Sequence, residues 1–229
     1  MIWAPLLLAM AARGVHGAAL SFRGHGGSEG RRMLQSYRIL DYEADTKRAL
    51  QAMPSAPILV GHSMGGLVAQ LVAEELPLPG LALLASSPVG GMQKDGLRML
   101  LRQPRAFLRA MRRRSFKSLY EKEETTRWLL FSRDAPAELV RRYQAEAQED
   151  SWLAGAEMNT MLPAPGRVRC PVMVMGGEED NMVCPASVRR TAQAYGVEPE
   201  FFPRCGHMLQ LECEAGALAE RLIAFAASR

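Results

Sequence analysis

No stretch of this 229-residue chain reaches the roughly 18 consecutive apolar residues that a membrane-spanning helix needs. No Lys or Arg precedes Arg13, so the opening MIWAPLLLAMAARGVHGAAL lacks the basic start of a secretory signal. Cysteine and histidine are scarce, with four of each. The cysteines (Cys170, Cys184, Cys205, Cys213) form no C-x-x-C pair and the histidines do not cluster with them, which argues against a zinc site. Aromatic residues make up 7% and do not interleave with a basic stripe, and Lys+Arg 28 against Asp+Glu 24 leaves only +4, too mild a balance for a nucleic-acid partner. Internal repeats and low-complexity segments are missing. A chain of this length does not need disulfides to fold, so the four cysteines are expected to be reduced, in a cytoplasmic protein.

What is present is a globular composition, 48% hydrophobic and 23% charged, enough for one large domain or a domain with an insertion. Pro5 near the start, Gly14 after Arg13, and Leu6, Leu7, Met10 and Ala11 at helical spacing predict a helix over Trp3–Arg13. A buried strand, Val15–Phe22, then runs into the turn RGHGGSEG (Arg23–Gly30), and Asp41–Met53 reads as a helix. The alternation continues with APILVGHS (strand), MGGLVAQLVAEEL (helix), GLALLASSP (strand), CPVMVMGG (strand), ASVRRTAQAYG (helix), VEPEFFP (short strand) and a helix over Ala215–Ala227. Short apolar runs alternating with helical patterns predict a mostly parallel, doubly wound sheet covered by helices on both faces.

Residues 92–168 break that rhythm. They are polar, helix-prone and without a convincing strand, so they are expected to form a helical lid, leaving 1–91 and 169–229 as the core. From Lys94 to Lys117 there are nine basic residues against one acid, Asp95. Arg98, Arg102, Arg105, Arg109 and Arg112 step by four and three along one helical face, with Leu97, Leu101, Leu108 and Met111 on another and a kink near Pro104. A solvated lid face is the plain reading; attraction to an anionic substrate or a weak contact with a membrane surface is the functional one. Trp128, Phe131, Trp152 and the methionines suit either an acyl pocket or the seat of the lid.

The sharpest chemical signal is Gly61-His62-Ser63-Met64-Gly65-Gly66 between an apolar strand and a helix. G-x-S-x-G in that context puts Ser63 on a tight turn at the carboxyl end of the sheet, with the Met64 N–H aimed at the same space, and Gly61 and Gly65 are expected to be small because backbone approaches closely.

These motifs resemble the α/β-hydrolase superfamily, in its esterase and lysophospholipase-like branch with a helical lid. RGHGGSEG is similar to that family's turn after strand four, GHSMGG to its nucleophile elbow, GGEEDNMVCP (Gly176–Pro185) to its acid loop and GHMLQLE (Gly206–Glu212) to its histidine loop. The resemblance implies the α/β-hydrolase fold and a catalytic triad in the order Ser63, Asp180, His207. A serine hydroxyl needs a base to take its proton, and a carboxylate to orient that base. His207 is the candidate base; His62, His25 and His16 are tied to an elbow, a turn and a strand. Asp180 takes the family's acid position in G-x-x-D-x-x-V, with Glu178 and Glu179 as rivals. Met64 is the candidate oxyanion donor.

The expected activity is hydrolysis of a small-molecule carboxylic ester, with lysophospholipid and monoacylglycerol as candidates and no cofactor. Same-fold thioesterase, C–C hydrolase and peroxidase chemistry, and a catalytically impaired binding product, stay open, as does the oligomeric state. The departure from the family is at the front: strands one to three and the His-Gly oxyanion loop have no counterpart in these residues. The family's third strand would lie between Val15–Phe22 and Ala56–Val60, so those two segments are expected either to pair directly, which would satisfy their backbone groups, or to leave a gap.

Overall fold

The computed structural model describes residues 2–213 and 215–228. Helix α1 (Ala4–Ala11) has proline in its first turn, where the missing N–H costs nothing, and the chain leaves it through Gly14 at φ +74°. Helix α2 (Ile39–Gln51) begins where Asp41 Oδ2 accepts the Arg38 N–H at 2.8 Å, and its Ile39 and Tyr42 are fully buried. Strand β1 (Leu59–His62) then feeds α3 (Met64–Glu75), β2 (Leu81–Leu84) follows, and after a long helical stretch come β3 (Val172–Gly177) and β4 (Glu200–Phe202).

The four strands pair in parallel in the order β1-β2-β3-β4. Side chains alternate across a strand, and β2 shows both faces of the sheet occupied. Ala82 and Leu84 pack with Leu6 of α1 and with Leu218 and Leu222 of the C-terminal helix, whereas Leu81 and Leu83 pack with Ala69 and Ala73 of α3. All four β2 residues are fully buried, which is why LALL is apolar throughout rather than alternating.

Residues 15–22 do not form the expected strand, nor do they pair with β1. An isolated apolar run has no ladder to join. Leu59 N–H donates to Gly80 O and Ser63 N–H to Leu84 O, so these alternate residues of β1 face β2. Val60 and His62 then turn their backbone groups away from it, and among the described residues no strand lies on that side. The gap, not direct pairing, is what the fold adopts.

Between β2 and β3 stand α4 (Gln93–Arg102), α5 (Pro104–Arg113), α6 (Glu123–Leu130), α7 (Ala137–Glu146) and α8 (Trp152–Glu157), with no strand among them. The helical path breaks at Gln103, immediately before Pro104. Leu119, Leu129, Leu130 and Val140 give these helices a core of their own, and Met208 joins it from the other part of the chain. Three more helices complete the fold: α9 (Pro185–Tyr195), α10 (Leu209–Glu212) and α11 (Ala215–Ala227).

The cysteines depart from the expectation that all four are reduced. Cys205 and Cys213 are joined as a disulfide, with Cα atoms 6.1 Å apart. The loop between β4 and α11 doubles back on itself, and that brings the two sulfurs together.

Candidate active site

The turn from β1 into α3 is held by close packing. A Cβ on Gly61 would sit 2.7 Å from the Gly65 carbonyl oxygen and from Gly66 Cα, and one on Gly66 would meet the Ser86 side chain. Gly65, expected to be one of the crowded positions, has open space around it, so Gly66 is the residue that must be small. Between them Ser63 adopts φ +53°, a left-handed conformation that a non-glycine residue takes only where its surroundings impose it. The Ser63 carbonyl accepts from Gly66 and Ser87 N–H, which fixes the turn from both sides. Met64 opens α3, so its N–H has no acceptor within the helix.

The other two predicted residues come together at the opposite end of the chain. His207 Nδ1 donates to Asp180 Oδ2 at 2.8 Å, and both side chains are buried. The second oxygen, Asp180 Oδ1, accepts the N–H groups of Met182 (2.8 Å) and Val183 (2.9 Å), so the carboxylate is held on both oxygens. Glu179 turns to the Arg133 N–H instead, and Glu178 lines a separate groove with Glu123 and Arg127. His207 and Ser63 line one cavity, although among the described residues the Ser63 hydroxyl has no hydrogen-bond partner.

Three contacts that sequence reasoning missed hold the His207 loop. His62 Nε2 donates to the His207 carbonyl at 2.9 Å, and its ring centroid lies 4.7 Å from that of His207. Burial, with the neighbouring His207 adding to it, pushes the His62 ring down to about 3, so it stays neutral. Glu212 accepts the Gly206 and Ser132 N–H groups, each at 2.7 Å, while burial raises its carboxyl above the usual range. The Cys205–Cys213 disulfide brackets the same loop. His62 and Glu212 both sit inside motifs already noted, but which backbone groups they reach is a long-range matter that spacing does not encode.

The cavity holds about 2150 Å³ and reaches from Ser63 and His207 to α1, residues 15–22, the end of α2 and residues of α4 and α5. Its walls are mostly aliphatic and aromatic, including Leu7, Val15, Phe22, Leu50 and Phe107. Trp152 lines it too, whereas Trp128 and Phe131 line the separate groove beside Asp180. His25 and Asp150 stand at its polar rim: His25 Nε2 donates to Asp150 Oδ1 at 2.9 Å and Nδ1 to the Arg23 carbonyl at 3.2 Å. Burial opposes charge on this ring, but the Asp150 hydrogen bond and charge outweigh it and raise its pKa. Arg23 itself is clamped by Asp45 (2.6 Å) and Asp41 (3.0 Å), which anchors the RGHGGSEG turn to α2. No group of three or more His, Cys, Asp or Glu side chains among the described residues is arranged to hold a metal ion.

A parallel sheet with helices on both faces thus carries the strained Ser63 turn and the His207–Asp180 pair. A family profile described as the alpha/beta hydrolase family matches residues 1–221, and the chain belongs to that family. Solved structures agree on the fold. A putative non-heme bromoperoxidase from Mycobacterium tuberculosis H37Rv superposes with a TM-score of 0.76 at 21% identity, over 97% of this chain and 85% of that one. A thermophilic esterase from Thermogutta terrifontis gives 0.74 at 18% identity, over 98% and 85%. A monoacylglycerol lipase from Paleococcus ferrophilus gives 0.71 at 19% identity, over 99% and 88%. No curated protein matches the chain. Among the described residues no helix is long and apolar enough to cross a membrane.

Proposed function

We propose that this chain is a serine hydrolase that cleaves carboxylic esters with apolar acyl groups through an acyl-enzyme on Ser63. The observation that carries the reading is the buried 2.8 Å bond from His207 to Asp180 in a site where His207 and Ser63 share one apolar cavity. In this reading His207 Nε2 takes the Ser63 proton as Oγ attacks the ester carbonyl, and Asp180 holds Nδ1–H and stabilises the imidazolium. The tetrahedral oxyanion accepts from Met64 N–H. When it collapses, the alkoxide leaves with the proton carried by His207; water, deprotonated by the same ring, then releases the acid. Residues 92–168 serve as the lid, and the size and apolarity of the cavity favour lysophospholipid or monoacylglycerol over short polar esters.

A fluorophosphonate probe is expected to label Ser63 and to leave Ser63→Ala unlabelled. Folded protein that takes up no label overturns the proposal. A second reading, ligand binding without turnover, draws on one observation: the Ser63 hydroxyl has no hydrogen bond to His207. Saturable binding of a long-chain ester by a chain that the probe does not label would favour it.

A further inference from the structure

The arginines of α4 and α5 do not form the single stripe that their spacing suggests. Arg98 turns inward to Asn181 Oδ1 at 2.6 Å and over the Trp128 ring, and Arg109 donates to the Ser118 carbonyl and pairs with Glu121. The leucines, instead of being buried beneath them, face out. Leu97 is 57% exposed, Leu101 72%, Leu108 59% and Met111 41%. Exposed positions 94, 97, 101, 105, 108 and 112 step by three and four through the break at Gln103, so one outer face carries leucines and cations together.

The charge on that face has one sign. Asp95, the single acid between Lys94 and Lys117, is buried and accepts from Ser187 Oγ at 2.6 Å and the Cys184 N–H at 3.1 Å. Among the described residues the side chains of Lys94, Arg105, Arg112 and Arg114 have no carboxylate partner, while the Lys117 backbone N–H donates to Glu149 Oε1 at 3.1 Å. A row of large apolar side chains in water is unfavourable, and a cluster of unpaired cations beside it repels most apolar partners. Both are satisfied by an interface that is apolar a few ångströms down and negatively charged on top. Leu97 and Met111 are also part of the wall of the cavity that holds Ser63 and His207, so this face borders its entrance.

We propose that the outer face of α4 and α5 docks on an anionic lipid bilayer, with Leu97, Leu101, Leu108 and Met111 in the acyl boundary and the arginines at the headgroups. Docking places the cavity entrance at headgroup level, where a membrane-borne ester can enter without crossing water. That delivery step rests on the serine-hydrolase reading; the docking does not.

The test is co-sedimentation of the full chain with vesicles of phosphatidylcholine alone and of phosphatidylcholine mixed with phosphatidylglycerol, at low and high salt. Binding is expected on the mixed vesicles and to fall steeply as salt rises. The double variant Arg105→Gln/Arg112→Gln is expected to weaken it on the order of tenfold at low salt. Leu101→Gln/Leu108→Gln should weaken binding at every salt concentration, because it removes buried apolar area. These four side chains are exposed, so the variants should fold and keep wild-type turnover of a water-soluble nitrophenyl ester. Equal binding to neutral vesicles, indifference to either double variant, or capture by heparin without binding to vesicles overturns the docking. Vesicle binding by a chain inert to every ester would sustain it and overturn only the hydrolase reading.

Discussion

On one flank of the sheet, β3 lies between β2 and β4, and the loops that leave β3 and β4 carry Asp180 and His207. On the other flank β1 ends the sheet, residues 15–22 run past it unpaired, and a large cavity takes up the space between. Both flanks are mainly apolar in sequence: VHGAALSF departs from the apolar run of CPVMVMGG only at His16 and Ser21. What differs is the presence of a neighbouring strand. An apolar run becomes a strand only where another backbone meets its N–H and C=O groups. The site straddles this divide, with Ser63 at the tip of the edge strand and its candidate partners on the well-paired side.

The largest expected effect tests whether the paired flank carries the chemistry. Asp180→Asn keeps the shape of the side chain but reverses one of its hydrogen-bond roles, and ester turnover should fall about 10⁴-fold while the protein stays folded. Unchanged turnover, with an unchanged melting temperature, would remove Asp180 from the proposed mechanism. On the open flank His16→Ala, within residues 15–22, should leave turnover within a few-fold of wild type.

Hydrogen exchange reads the same contrast residue by residue. Amides of β2, paired on both sides, should exchange only on global opening, with protection on the order of 10³ or more. The Val60 N–H and those of residues 15–22 should exchange far faster. Equal protection of Val60 and Leu83 would mean that the open edge is covered in solution.

The parts of this picture that the sequence conveyed are those written in local pattern. Every strand except Val15–Phe22 lies where alternation placed it, and so do α1, α2, α3, α9 and α11. The elbow was legible because three glycines around one serine between a strand and a helix have few other uses; that Gly66 rather than Gly65 is crowded depends on Ser86, twenty residues away. Asp180 and His207 were legible only through their motifs, since the contact between them spans 27 residues. The outward turn of the α4–α5 leucines was not legible, because spacing gives a helix two faces without saying which one meets the protein.

His62 ties the two flanks together, and its pH dependence sharpens the comparison. Its folded pKa, about 3, lies below the ordinary value near 6.5, so the neutral ring is the one the fold stabilises. That contribution is complete above about pH 6.5 and is lost as pH falls toward 3, at up to ~1.4 kcal/mol per pH unit. His62→Gln should flatten this acid limb of a melting-temperature profile, and should slow ester turnover by loosening the His207 carbonyl. An acid limb of unchanged slope would show that another group unfolds the protein first.

The smallest effect concerns the opposite kind of histidine, at the rim of the cavity. His25 joins the RGHGGSEG turn to residues 147–151 through Asp150, beside the bonds from Gly26 N–H and Arg31 to Gln148 and from Gln35 to the Asp150 carbonyl. Both ring nitrogens face acceptors, Arg23 O and Asp150 Oδ1, an arrangement that favours the doubly protonated ring; Arg31 is the cation that opposes it. Its folded pKa is raised, so the sign is the reverse of that at His62. The stabilisation is fully present below about pH 6.5 and disappears as pH rises through the folded value. Asp150 is partly exposed, which limits the pair to roughly 0.5–1 kcal/mol. Asp150→Asn should therefore lower the melting temperature by a few degrees in mild acid and by almost nothing at alkaline pH, with proteolysis between residues 146 and 152 speeding up over the same range. A deficit that persists unchanged into alkaline pH would mean that Asp150 acts through its backbone and neighbours, and that the charge on His25 plays no part in holding the helices of 92–168 to the sheet.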